Sequence, residues 1–119
     1  MQDIDVGSSG KDTTVLIVDD EQHTTLIVQR LLALAGYRLV TTTNPFQVTR
    51  LVESESPDLV LLDINFPGTN GFDLFREIRE HSKAPIIFFT ASDREEDIRQ
   101  ASELGAADYI TKNLSQNIE

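Results

Sequence analysis

Groups able to do chemistry stand at the ends of four segments of the chain. Asp19 and Asp20 follow one apolar run, Asp63 follows a second, and Thr90 and Lys112 end two further segments. Two carboxylates held about 4 Å apart repel each other by about 4 kcal/mol at an effective dielectric constant of 20. If the three acids meet, they therefore need protons, a cation or both.

A magnesium ion suits such a group of acids, because Mg²⁺ prefers hard oxygen ligands, often one or two carboxylates, and leaves room for water and a phosphate oxygen. A carboxylate beside Mg²⁺ can attack phosphorus, which makes Asp63 a candidate nucleophile for aspartyl-phosphate chemistry. The Thr90 hydroxyl could bond a phosphoryl oxygen and the Lys112 ammonium could neutralise one. Structural explanations stand beside these: Asp19 and Asp20 could cap a helix, and Asp63 could begin a turn.

The apolar runs that precede these residues predict buried parallel strands. Runs that are apolar at consecutive positions are typical of strands covered by helices on both faces. The strongest are residues 15–18, 59–62 and 85–89, and two shorter, more polar segments at 37–42 and 108–111 predict edge strands.

Four helical patterns separate these strands. In the first pattern Ile27, Leu31 and Leu34 are apolar and Gly36 marks the end. The second opens at Asn44 and Pro45 and continues through Leu51. The third has the apolar positions Phe72, Phe75 and Ile78, and the fourth opens with an Asp93 and Glu96 cap and continues through Ile98 and Leu104. Alternating strands and helices with short connections predict a parallel sheet with helices on both faces. In such folds the binding crevice lies at the carboxyl ends of the strands, where the candidate residues fall.

The composition limits the classes to which the chain can belong. It has 119 residues, with 20 acidic and 10 basic side chains, a net charge of -10 and no cysteine. This length predicts one domain, and the lack of cysteine excludes disulfide scaffolds and thiolate chemistry. No apolar stretch reaches the ~20 residues of a membrane span, and the first residues lack the features of a secretory signal, so we expect a cytoplasmic protein. The acidic charge argues against nucleic-acid binding by this domain and favours a hard cation or a basic partner.

Over about residues 14–112 the sequence resembles the receiver domain of two-component response regulators. The residues that carry the resemblance are Val18-Asp19-Asp20-Glu21, Asp63 with Pro67 and Gly71 at the family spacing, Thr90-Ala91, and Tyr109 with Lys112. The resemblance implies a flavodoxin-like, doubly wound α/β fold whose five-stranded parallel sheet has the order 2-1-3-4-5. We expect residues 1–13 to be a flexible lead and residues 14–119 to be the receiver domain.

The resemblance also implies roles for the residues at the strand ends. Asp63 would accept a phosphoryl group from a sensor histidine kinase or a histidine phosphotransfer protein. Asp20 and Asp63 would bind Mg²⁺ through their side chains, Asn65 through its backbone carbonyl, and Asp19 largely through water. Lys112 would pair with Asp63 or with its phosphate.

The signal would then pass through a switch between two states. Thr90 would move towards the phosphoryl group, and Tyr109 would rotate inward behind it. The face formed by the fourth helix and the fifth strand would change and would control an output domain or partner protein. Such a protein modifies itself and turns over no external substrate, so we do not expect an enzyme; the resemblance leaves a homodimer open.

The sequence departs from the family pattern near its end. Lys112 is followed by Asn113, where the family usually has proline after a cis peptide bond, and a cis bond before another residue costs about 2.5–4 kcal/mol. Only residues 113–119 follow, too few for the usual fifth helix. We therefore expect an incomplete fifth helix and an exposed apolar strip on neighbouring elements.

Two other functions remain as alternatives. A phosphohydrolase of the haloacid dehalogenase type would need a second aspartate two residues after the nucleophile, and Asn65 stands there instead. A receiver-like interaction module that is never phosphorylated is the other alternative. His23 and His81 are interpreted as exposed helix residues rather than phosphotransfer residues, and residues 93–99 as a solvated helix face.

Overall fold

In the computed structural model of the chain, residues 13–112 are described, together with all their side chains except those of residues 22–25. The strands are β1 (Thr14–Val18), β2 (Arg38–Thr42), β3 (Leu59–Leu62), β4 (Asn65–Phe66), β5 (Thr69–Asn70), β6 (Ile86–Thr90) and β7 (Asp108–Thr111). The helices are α1 (Gln22–Leu34), α2 (Val48–Glu55), α3 (Gly71–His81) and α4 (Glu95–Leu104), and a short 3-10 turn (Pro45–Gln47) precedes α2.

Five of the strands form one parallel sheet in the order β2-β1-β3-β6-β7, and β4 and β5 form a small antiparallel hairpin. If only the strands of the large sheet are counted, the order is 2-1-3-4-5, which confirms the expected fold. β1 lies between β2 and β3: Val18 lies opposite Thr42 of β2 and Leu62 of β3. The residues that directly follow β1 and β3, Asp19 and Asp63, therefore leave the sheet side by side.

The main hydrophobic core lies between the sheet and the helices α2 and α3. Phe88 of β6 is fully buried, and its ring stacks on that of Phe75 with the centroids 5.7 Å apart. Val48, Val52 and Ile78 complete the contact from the helices. Burial of side chains of this size contributes about 1.5–3 kcal/mol each, which anchors the sheet edge that carries the candidate residues.

The apolar face of α1 is only partly used. Val28 and Leu32 pack against the sheet, where they meet a smaller buried cluster. By contrast, Ile27, Leu31 and Leu34 of the predicted stripe are exposed by 56%, 64% and 85%. The sheet thus contacts a neighbouring face of the helix, and the predicted stripe is largely exposed. The proposed incomplete fifth helix and the Lys112–Asn113 bond lie outside the described residues, as does the lead up to residue 12.

Two predicted helix starts have different outcomes. The side chain of Asn44 accepts a hydrogen bond from the Phe46 amide (2.9 Å), so the Asn44–Pro45 signal opens the 3-10 turn before α2. The predicted Asp93–Glu96 cap is wrong, because α4 has Arg94 as its N-cap residue and no side-chain capping bond.

Candidate functional site

An ammonium group bridges two buried carboxylates at the carboxyl edge of the sheet. Lys112 Nζ lies 2.6 Å from Asp19 Oδ2 and 3.0 Å from Asp63 Oδ2. Asp19 and Asp63 are only 3% and 5% exposed. The exposed Glu21 lies at the margin, 3.4 Å from the same nitrogen. One positive charge therefore faces two buried negative charges, as the convergence of strand ends predicts.

The backbone of β7 brings Lys112 to this position. Its amide donates to the carbonyl of Thr90 at the end of β6 (2.8 Å). Its ammonium lies 5.5 Å from the centroid of the Phe89 ring, within range of a cation–π contact. Lys112 is thus fixed at both ends although it stands directly after the last strand.

The carboxylate of Asp63 is oriented by hydrogen bonds to both of its oxygens. Oδ1 accepts from the backbone amide of Ile64 (2.6 Å) and, more distantly, from that of Asn65 (3.4 Å). Oδ2 accepts from Lys112 (3.0 Å). The two oxygens thus face different groups: Oδ1 faces backbone amides and Oδ2 faces the ammonium.

Gly71 allows α3 to start directly against Asp63. Its amide donates to the carbonyl of Ile64 (2.6 Å). A Cβ at this position would lie 2.2 Å from the carbonyl oxygen of Asp63 and 2.7 Å from Cα of Ile64, so a side chain would force the backbone to move. The spacing between Asp63 and Gly71 thus reflects a close backbone approach beside the site.

The environment of Asp19 changes its protonation equilibrium. Burial raises the pKa of this carboxyl above its ordinary value, although hydrogen bonding from Lys112 and the Glu21 amide lowers it. Oδ1 accepts from the Glu21 amide (2.7 Å). Oδ2 is buried, and its contact with a charged group is the ion pair with Lys112. Burial alone would lower the pKa of Lys112. Its hydrogen bonds and charge interactions with Asp19 and Asp63 raise the pKa by more than burial lowers it, so the net shift is upward. Since Glu21 is the N-cap residue of α1, capping of α1 does not account for Asp19.

The predicted magnesium ligands lie at the same edge of the sheet but form two groups. Asp19 and Asp63 share the lysine, whereas the exposed Asp20 lines a shallow cleft with Asn65 and the loop between β3 and α3. Among the side chains that the structure describes, no group of three His, Asp or Glu residues is arranged to hold a metal ion by itself. A cation here would therefore depend on two carboxylates supplemented by backbone or water oxygens.

Thr90 and Tyr109 lie beside the site, under the loop that leads into α4. Thr90 is fully buried at the end of β6, and its hydroxyl oxygen accepts from the Ser92 amide (3.4 Å). The Tyr109 hydroxyl donates to the Ser92 carbonyl (2.7 Å), and its ring lies 6.2 Å from that of Phe88. Tyr109 is thus turned towards the core in this structure.

The family model described as "Response regulator receiver domain" matches residues 15–118. The chain belongs to the response regulator receiver family. Receivers are components of two-component systems. The receiver family uses phosphorylation for signalling, works with histidine kinases and binds divalent metal. Within residues 13–112, no helix is both long enough and apolar enough to span a membrane.

Individual relatives agree with this assignment. The receiver is 40% identical over 113 residues to a probable transcriptional regulator, ycf27, of Guillardia theta; the match covers 95% of this chain and 43% of the relative, so the chain spans less than half of that protein. It is similar to the BeF3-activated N-terminal receiver domain of Klebsiella pneumoniae RstA, with a TM-score of 0.79, 28% identity, and 89% and 95% of the two chains covered. For the Mn(2+)-bound form of response regulator Rcp1 the TM-score is 0.76, the identity 25%, and the coverage 87% and 85%.

The structure adds a buried acid that sequence reasoning missed. Asp97 of α4 is only 7% exposed, so the interpretation of residues 93–99 as a solvated face is wrong at this position. Its carboxylate accepts from the Ser92 hydroxyl (2.5 Å) and from the Arg94 guanidinium (3.3 Å to Nε). An acid in the first turn of α4 was the available signal, but its spacing from Ser92 fits no standard capping pattern.

His81, the histidine whose side chain the structure describes, lies away from the site. His81 pairs through Nδ1 with Glu53 at 2.9 Å, which links α3 to α2. It is exposed, in agreement with its interpretation as a helix surface residue. The side chain of His23 lies outside the described part of the chain.

Proposed function

We propose that this receiver is a phosphorylation-dependent switch and that Asp63 accepts the phosphoryl group from a sensor histidine kinase or a histidine phosphotransfer protein. The observation that carries the proposal is the Lys112 ammonium between the buried carboxylates of Asp19 and Asp63. In the transfer, Asp63 Oδ2 forms a bond to phosphorus while the phosphorus–nitrogen bond of the phosphohistidine breaks. The electron pair stays on the imidazole, and the product is an acyl phosphate on Asp63.

The residues present fit a magnesium ion. Asp19 Oδ2 is a buried oxygen satisfied by an ion pair alone, and two buried carboxylates exceed the charge of one lysine. Mg²⁺ needs only one or two carboxylates because it keeps several waters. Asp20 and Asp63 would hold it through their side chains, Asn65 through its carbonyl and Asp19 through water, and the ion would neutralise phosphoryl oxygens. The Mn(2+)-bound form of Rcp1 supports a divalent cation in a protein of this fold.

The other residues would respond to the new phosphoryl group. Lys112 would bind one phosphoryl oxygen, and Thr90 would move its hydroxyl towards another. Tyr109 would follow Thr90, because the two side chains share the Ser92 backbone as hydrogen-bonding partner. The face formed by α4 and β7 would then change its affinity for an output domain or a partner. The match to under half of a probable transcriptional regulator supports an output domain. The proposed location of the switch is the cytoplasm.

Beryllofluoride, which mimics a phosphoryl group on a carboxylate, tests this function directly. With Mg²⁺, it should shift the backbone amide resonances around Asp63, Thr90 and Tyr109. Asp63→Asn should abolish these shifts, whereas Asp93→Asn, at an exposed aspartate, should retain them. Silence in the wild-type protein would overturn the proposed switch and favour the interaction module.

A further inference from the structure

All polar groups of Ser92 have hydrogen-bonding partners. Its amide donates to Thr90 Oγ1 (3.4 Å), its carbonyl accepts from the Tyr109 hydroxyl (2.7 Å), and its hydroxyl donates to Asp97 Oδ2 (2.5 Å). The hydroxyl also accepts from the Arg94 amide (3.4 Å). Ser92 therefore links the end of β6 to side chains of β7 and α4.

Asp97 makes the strongest of these connections. Its side chain is 9% exposed and also pairs with the guanidinium of Arg94, at 3.3 Å from Nε and 3.4 Å from Nη2. Burial alone would raise the pKa of Asp97. Its hydrogen bonds with Ser92 and Arg94 lower the pKa by more than burial raises it, so the carboxylate stays ionised. A hydrogen bond to an ionised acceptor is shorter and stronger than one between neutral groups. The Asp97 side chain thus connects α4 to the loop that precedes this helix.

A short path joins this loop to Asp63. Ser92 holds the Thr90 hydroxyl, and the Thr90 carbonyl accepts from the amide of Lys112 (2.8 Å). The ammonium of the same lysine contacts Asp63 (3.0 Å). A displacement of Ser92 would therefore shift, through Thr90 and Lys112, the groups that contact the proposed phosphoacceptor carboxylate of Asp63.

We propose that Asp97 is a positioning residue that, through Ser92, holds Tyr109 and the loop of residues 91–94 in place beside the phosphoryl site. This inference rests on the proposed phosphorylation of Asp63 and adds a determinant of how long the phosphoryl group persists. A hydroxyl has one hydrogen to donate, so the Ser92 hydroxyl, while bound to Asp97, has no hydrogen left with which to hold a water beside the phosphoryl site.

Removal of the Asp97 carboxylate should have two effects. The Tyr109 hydroxyl should lose its fixed acceptor because the loop that carries the Ser92 carbonyl moves. The acyl phosphate should also hydrolyse faster, because the loop and the Ser92 hydroxyl are both released. One charge-assisted hydrogen bond sets the scale, so we expect an increase of about tenfold in the rate constant for phosphoryl loss.

The first measurement observes Tyr109 without any phosphorylation. The chain has two tyrosines, so in a Tyr37→Phe background 3-fluorotyrosine gives one fluorine resonance. Asp97→Ala should move this resonance towards its unfolded position. Asp97→Asn keeps an acceptor oxygen for Ser92 and should stay close to the parent. Ser92→Ala breaks the same bond from the other side and should reproduce the Asp97→Ala result, which keeps the test decisive if Asp97→Ala does not fold.

Glu96→Ala is the matched control, because Glu96 also pairs with Arg94 (3.1 Å) but is 65% exposed. It should leave both the fluorine resonance and the phosphoryl lifetime unchanged. An unmoved resonance in Asp97→Ala and Ser92→Ala would overturn the positioning of Tyr109.

The second measurement is the decay of radiolabelled phosphoprotein after acetyl phosphate is removed. Faster decay in Asp97→Ala, with near-normal decay in Asp97→Asn and Glu96→Ala, supports the inference, and equal lifetimes in all variants overturn it. Failure of the wild-type protein to take up label overturns the proposed function and the lifetime claim together. The fluorine result is then still decided separately.

Discussion

Substitution of Gly71 by alanine tests how closely α3 must approach Asp63. The added Cβ would stand 2.2 Å from the carbonyl oxygen of Asp63 and 2.7 Å from Cα of Ile64. Ordinary non-bonded contacts lie near 3.5 Å, so the two backbone segments must separate by about 1 Å. Both neighbouring atoms belong to the backbone, and no flexible side chain can move aside instead.

The strain has two measurable consequences. Overpacking typically costs about 1–3 kcal/mol, and the better helix propensity of alanine returns less than about 1 kcal/mol, so we expect a net loss of stability of about 1–2 kcal/mol. A reacting group displaced by about 1 Å can lose on the order of 100-fold in rate. We therefore expect phosphorylation of Asp63 in Gly71→Ala to slow by about 10- to 100-fold.

Urea unfolding measures the first effect, and the initial rate of labelling by acetyl phosphate with Mg²⁺ measures the second. Val52→Ala is the matched control, because Val52 is 2% exposed on α2 and its truncation should cost about 2 kcal/mol without touching the site. This variant should be labelled at the wild-type rate under conditions in which it is folded. A Gly71→Ala protein as stable and as rapidly labelled as the wild type would refute the close approach.

Three further predictions follow from particular contacts. Lys112→Met leaves two buried carboxylates without their ammonium, so urea unfolding at pH 7 without Mg²⁺ should show a loss of about 3 kcal/mol. Because the pKa of Asp19 is already raised by burial, part of this loss should be regained at pH 5 as that carboxyl takes up a proton, and equal losses at both pH values would contradict this. The lowered pKa of Asp97 means that its contribution is present above the unfolded value near 3.9 and is lost as the pH falls through the lower folded value. The stability advantage of the wild type over Asp97→Asn should therefore shrink in acid, and a constant advantage would be inconsistent with this sign. Leu34→Ala, at a side chain 85% exposed, should change stability by less than about 0.5 kcal/mol, whereas Leu32→Ala should cost clearly more; the reverse order would place the wrong face of α1 on the sheet.

The strands could be predicted because burial on both faces leaves a strong signal. Segments such as 59–62 are apolar at every position, and the structure places them in the centre of a parallel sheet. The orientation of α1 could not be predicted in the same way. Leu31 and Leu32 are both apolar, so periodicity alone does not decide which of them meets the sheet. Tertiary contacts make that choice.

The meeting of Asp19, Asp63 and Lys112 could also be predicted, since the carboxyl ends of parallel strands share one edge. The bond between Ser92 and Asp97 could not, because it depends on the path of a loop. Spacing in the sequence records regular elements, but it does not record where an irregular segment turns back on a helix. The buried acid therefore emerged only from the structure.

Chemical location of the phosphoryl group tests the central claim most directly. The wild-type protein would be incubated with acetyl phosphate and Mg²⁺, then treated with borohydride, which reduces an aspartyl phosphate to homoserine, and digested for mass spectrometry. We predict homoserine at position 63 alone, dependent on Mg²⁺ and absent from Asp63→Asn. Homoserine at Asp19 or Asp20, or at no position in a folded protein, would contradict the account.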